Sequence, residues 1–115
     1  MRVLALGLIG SMPAFTGPPE IVDVRAILQG DAWRFDVTMN HADTGWDHYA
    51  DGWGVYLPDG IELGYRVLAH PHVNEMPFTR SLSGVVVPND ARFVLIRPRD
   101  SVHGEGAEFE LMLER

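Results

Sequence analysis

A chain of 115 residues suits one domain, since domains commonly run to about 100 to 150 residues, and it leaves no room for a second core. Its 46% hydrophobic content, with three Trp, three Tyr and five Phe, supplies enough apolar surface to offset chain ordering, which argues against disorder. The net charge of -7, only nine scattered Lys and Arg and no cysteine argue against nucleic acid and anionic membranes, and they exclude disulfides, thiolate nucleophiles and Cys-ligated metal sites.

The N-terminus has the layout of a short secretory signal. Arg2 precedes the apolar run Val3 to Ile9, and Gly10, Ser11, Met12, Pro13 and Ala14 follow. Residues 1 to 14 are therefore expected to be a signal peptide cut before Phe15, leaving residues 15 to 115 as one periplasmic or secreted domain. A first strand of a cytoplasmic domain is the competing reading. No other apolar run approaches the about 20 residues needed to span a bilayer, so no membrane span is expected in the mature chain.

After the Pro-rich joint Thr16 to Pro19, hydrophobicity alternates with period two rather than 3.6. Val22, Val24, Ala26 and Leu28 share the first face, and Gln29-Gly30-Asp31 turns the chain. Trp33, Phe35, Val37 and Met39 then oppose Arg34, Asp36 and Thr38 in the cleanest half-buried strand. Trp53, Val55 and Leu57 form a third strand, and Pro58-Asp59-Gly60 turns it into a fourth along Ile61, Leu63, Tyr65 and Val67. A fifth runs from about Arg80 to Val87, and a sixth from Arg92 to Arg97, whose buried face is ambiguous. Ala107, Phe109, Leu111 and Leu113 alternate with glutamates in a seventh.

About seven short strands predict an all-β fold, a single antiparallel β-sandwich of the immunoglobulin or fibronectin type III kind, with Val24, Trp33, Phe35, Val37, Val55, Leu63, Phe109 and Leu111 in its core. Every strand of such a sandwich crosses the domain once, so successive connections alternate between its ends. The connections at residues 40 to 52, 69 to 79 and 98 to 106 share one end, and they hold all five histidines: His41, His48, His70, His72 and His103.

That convergence is the main functional clue. Imidazoles with one or two carboxylates suit Zn²⁺, Cu²⁺ or Ni²⁺, whereas Ca²⁺ prefers an all-oxygen shell. Candidate metal ligands are His41, Asp43, His48, His70, His72, Glu75 and His103, with Zn or Cu as the expected ion. His70 and His72 flank Pro71 on an extended stretch and would point the same way, as would His41 and Asp43. These spacings are much less specific than Cys-x-x-Cys or His-Glu-x-x-His. Loop His and Asp residues also cap turns and satisfy buried backbone groups, so a purely structural polar network competes with the metal reading.

A second class of function is a metal-free protein- or glycan-recognition module at the same end. There Trp46 and Tyr49 would form an apolar platform beside the acceptors Asp47 and Asp51, with Trp53 assigned to the core. Catalysis ranks third. Asp43-Thr44-Gly45 matches the aspartic-protease tripeptide, but that chemistry needs two such aspartates and one copy is present. Neither Ser81 nor Ser101 lies in a nucleophile elbow, no Gly-rich phosphate loop occurs, and nothing singles out a glycosidase carboxylate pair.

The stretches His41-Ala-Asp-Thr-Gly-Trp-Asp-His-Tyr-Ala-Asp51, His70-Pro-His-Val-Asn-Glu-Met-Pro-Phe-Thr-Arg80 and Asp100-Ser-Val-His-Gly104 together resemble a family of small, uncharacterised, exported bacterial proteins. The resemblance covers nearly the whole chain after the signal-like segment. It implies periplasmic residence and a compact β-domain rather than a mechanism.

Overall fold

The computed structural model describes residues 17–115, all in strands, turns and loops. The expected signal over residues 1 to 14 and its cut before Phe15 lie outside the described residues. Eight strands follow in order: β1 (Glu20–Gln29), β2 (Ala32–Asn40), β3 (Ala50–Tyr56), β4 (Glu62–Val67), β5 (Phe78–Val85), β6 (Phe93–Asp100), β7 (Gly104–Glu105) and β8 (Phe109–Met112). Among the described residues, no helix is long and apolar enough to cross a membrane.

Every pairing is antiparallel. One sheet has the order β1-β2-β5, the other β4-β3-β6-β7 with β8 also on β6, and the two enclose a single core as expected of a sandwich. The expected seventh strand is β8, and the two-residue β7 lies before it, inside the expected connection at residues 98 to 106. The segment between β7 and β8 faces Pro98, which has no N–H to give a ladder, and there Gly106 N–H donates to the Pro98 carbonyl at 2.9 Å.

Five of the eight expected core residues, Val24, Trp33, Phe35, Val37 and Val55, are buried, while Leu63, Phe109 and Leu111 pack against the core half-buried. The expected face of β1 is corrected. A register shift between Ile21 and Asp23 marks a bulge that leaves Val22 unpaired, so Ile21 and Val24 both point inward while Val22 is exposed, as is Leu28 at the far end of the strand. Two further corrections concern length. β5 begins at Phe78 rather than Arg80, and β6 runs on through Pro98 to Asp100.

β3 is covered on both faces. Trp53 and Val55 enter the core, while Gly52 and Gly54 leave the outer face bare enough for the rings of Tyr65 and Tyr56 to lie where side chains would otherwise stand. Strand parity holds. The β2–β3, β4–β5 and β6–β7 connections gather at one end, where hydrogen bonds join them.

Candidate metal centre

Inward-facing alternation carries the core to this end and turns it polar there. On β2 the buried series Trp33, Phe35, Val37 and Met39 continues in phase through His41 and Asp43. On β6 the series Val94, Ile96 and Pro98 continues to Asp100, which is wholly buried.

Three imidazoles converge on one oxygen of that aspartate. Asp100 Oδ2 lies 2.9 Å from His41 Nε2, 2.8 Å from His48 Nε2 and 2.9 Å from His103 Nδ1. The rings pack on one another, His41 edge-on to His48 with centroids 4.7 Å apart, and His48 tilted against His103 at 5.0 Å. Asp100 Oδ1 accepts the amides of Val102 and His103, which closes the β6–β7 turn and brings His103 back over its own strand. Burial pushes the Asp100 carboxyl up, but the bonds from the His103 ring and amide, His48 and His41 outweigh it and hold the group well below its ordinary 3.8.

Local sequence explains how His48 arrives. Thr44 N–H donates to the His48 carbonyl at 3.0 Å and His48 N–H to the Gly45 carbonyl at 3.2 Å, a tight turn whose first residue has φ 133° and so favours glycine. This turn throws Trp46 outward and folds His48 back. Tyr49 and Ser101 exchange two hydrogen bonds, 3.0 Å and 3.1 Å, which fasten the first loop to the β6–β7 turn.

Asp43 binds the third loop to the other two. Its Oδ1 lies 2.5 Å from His41 Nδ1 and accepts the Ala50 amide at 3.0 Å, while Oδ2 accepts the His72 amide at 2.7 Å. With donors on both oxygens, the carboxylate cannot turn without breaking these bonds.

The structure brings His41, His48 and Asp100 together with donor atoms within 4.8 Å of one another, a set able to hold a metal ion. It places His103 beside that set and Asp43 behind it. The remaining expected ligands stand apart. His72 is buried flat against the Phe78 ring, centroids 4.0 Å apart, with Nδ1 unpartnered; His70 is exposed with its Nδ1 3.0 Å from the Pro71 carbonyl oxygen, and Glu75 is exposed. Burial, with Arg80 and His70 nearby, pushes the His72 imidazole below its ordinary 6.5. Trp46 is 68% exposed, edge-on to Tyr49 at 5.5 Å, and Asp47 is exposed beside it. Asp51 sits apart on the outer face of β3, 3.8 Å from Arg99, and Trp53 is in the core. Asp100 is the residue that sequence reasoning left out of the ligand set. Extending the Val94, Ile96, Pro98 alternation by one step identifies it.

The chain is similar to a protein of Halomicrobium mukohataei named "Putative lipoprotein", with 43% identity over 90 residues, 77% of this chain and 44% of that protein. It spans less than half the length of this relative. No protein-family model and no solved structure matches the chain.

Proposed function

We propose that the protein is exported and binds a divalent transition-metal ion, Zn²⁺ or Cu²⁺, through His41 Nε2, His48 Nε2 and an Asp100 oxygen, with His103 as a fourth donor. One observation carries the reading. Both ring nitrogens of His41 face oxygens of buried carboxylates, and a neutral imidazole has only one N–H to give. The other nitrogen then opposes an acceptor unless it carries a second proton or a metal stands between them. Among the described residues the ion pairs of Asp43 and Asp100 are all to histidine, none to Lys or Arg. A divalent cation supplies the positive charge that two buried carboxylates need, and four nitrogen and oxygen donors match a closed zinc shell. Such a shell favours binding over catalysis, since catalytic zinc keeps a position open. The lipoprotein relative supports export.

The test uses protein produced without a His tag. Elemental analysis should find one equivalent of metal, and thermal unfolding should show stabilisation by Zn²⁺ or Cu²⁺ that a chelator reverses. A chain with no bound metal and no metal-dependent shift ends this reading. A second reading, a metal-free module for a protein or glycan partner, draws on the exposure of Trp46 over Tyr49. Loss of partner or glycan capture on Trp46→Ala, with or without metal, would favour it.

A further inference from the structure

We infer that Asp43 is the positioning residue of this centre: it fixes His41 with Nδ1 protonated, so that Nε2 alone is left to bind the ion. The inference rests on the metal reading above. An ionised carboxylate accepts hydrogen bonds and cannot donate them, so the His41 nitrogen against Asp43 Oδ1 must carry the hydrogen. With an ion bound, the opposite nitrogen, Nε2, then presents its lone pair to that ion among His48 and Asp100, where the other donors are. Carboxylate, imidazole and ion in this order form a relay in which the carboxylate sets the tautomer and raises the basicity of the ligand.

Asp43 is suited to this role and not to ligation. Its side chain and that of His41 are fully buried, and both Asp43 oxygens are engaged, one by His41 and the Ala50 amide, the other by the His72 amide. Turning toward the ion would break three hydrogen bonds, two of them to buried backbone amides. The spacing of His41 and Asp43 therefore serves a ligand and its support, not a chelating pair. Asn cannot replace this arrangement, because an amide has one acceptor oxygen and an NH₂ that opposes whichever donor remains.

The experiment combines long-range ¹H–¹⁵N spectra of the histidine rings with zinc affinity by chelator competition, on the unmodified protein and on Asp43→Asn. In the zinc-loaded unmodified protein, His41 should be ligated through Nε2 with Nδ1 protonated. Ligation through Nδ1 overturns the inference without recourse to any variant. In Asp43→Asn, zinc affinity should fall about 10- to 100-fold with one-to-one stoichiometry kept, and the His41 ring should lose its single tautomer. A folded Asp43→Asn protein with unchanged affinity overturns the inference and leaves the metal reading standing. Absence of zinc binding by the unmodified protein overturns both.

Discussion

His41 and Asp100 stand 59 residues apart in the chain and 2.9 Å apart in space, because each is the next inward position of a core strand after the apolar residues end. The site is thus an extension of the core rather than a decoration of its loops. β2 and β6 belong to opposite sheets, so the two alternations approach from opposite walls and meet where the sandwich closes.

Removing Asp100 should be expensive even without metal. Asp100→Ala leaves three imidazoles and two turn amides without their acceptor, and breaking a buried charged cluster from one side costs about 3 to 5 kcal/mol. Urea unfolding at pH 7 in chelator reads this directly. The acid limb gives a second signature. Folding lowers the Asp100 carboxyl from 3.8, so its contribution is complete above that pH and is lost as pH falls through the lower folded value. Asp100→Asn should lack this part of the acid limb; an unchanged limb would mean that other carboxylates set it.

Much of this was legible in the sequence, and the failures have physical causes. The sandwich, the end shared by the histidines and the core of β2 follow from period-two alternation and from one crossing per strand. Val22 was misplaced because a bulge inserts one residue without any change in composition. Asp100 escapes a pattern confined to apolar residues, although a buried carboxylate obeys the same pleat. The His70 and His72 rings lie 4.6 Å apart, but they differ in burial: Phe78 takes up the His72 ring, and that contact crosses from a loop to a strand that no local pattern links.

His72 should produce a pH dependence of its own. Burial, then Arg80 and His70, depress its folded value below 6.5, so the unfolded chain takes up the proton first as pH falls. The resulting stabilisation is present above 6.5 and is lost as pH drops through the folded value. His72→Phe keeps a flat ring against Phe78 but cannot titrate. Its melting temperature should fall less steeply than that of the unmodified protein as pH is lowered from 6.5, both in chelator. Parallel curves would remove His72 as the cause.

Gly106 should tolerate substitution less well than Gly52. A Cβ at Gly106 would clash with the Pro19 carbonyl oxygen, which is backbone and cannot swing away. At Gly52 the obstacle is the far end of the Tyr65 side chain, which can. Overpacking costs typically about 1 to 3 kcal/mol, so Gly106→Ala should sit near the upper figure and Gly52→Ala near the lower one in chemical denaturation. The Gly106 contact also packs the segment leading into β1 against the β7–β8 connection. Limited proteolysis near Pro19 should therefore accelerate in Gly106→Ala alone.

The last prediction separates the two histidine loops. An ion that binds only the folded state adds about 2.7 kcal/mol of stability at a hundredfold excess over its dissociation constant. For a domain of this size that is a rise of roughly 10 to 20 °C in melting temperature. His41→Ala should abolish the rise and His48→Ala should remove most of it, since both nitrogens belong to the converging set. His103→Ala should reduce it in part, because that ring is the most exposed of the three and lies at the rim. His70→Ala should leave it intact, since the His70 ring is exposed with Nδ1 beside the Pro71 carbonyl and, among the described residues, its loop is hydrogen-bonded to the centre through Asp43 and the His72 amide. Each variant is compared with its own chelator control, which removes the intrinsic stability change. Loss of the rise in His70→Ala would mean that the β4–β5 loop supplies a ligand directly, and the assignment of the link to Asp43 would be wrong.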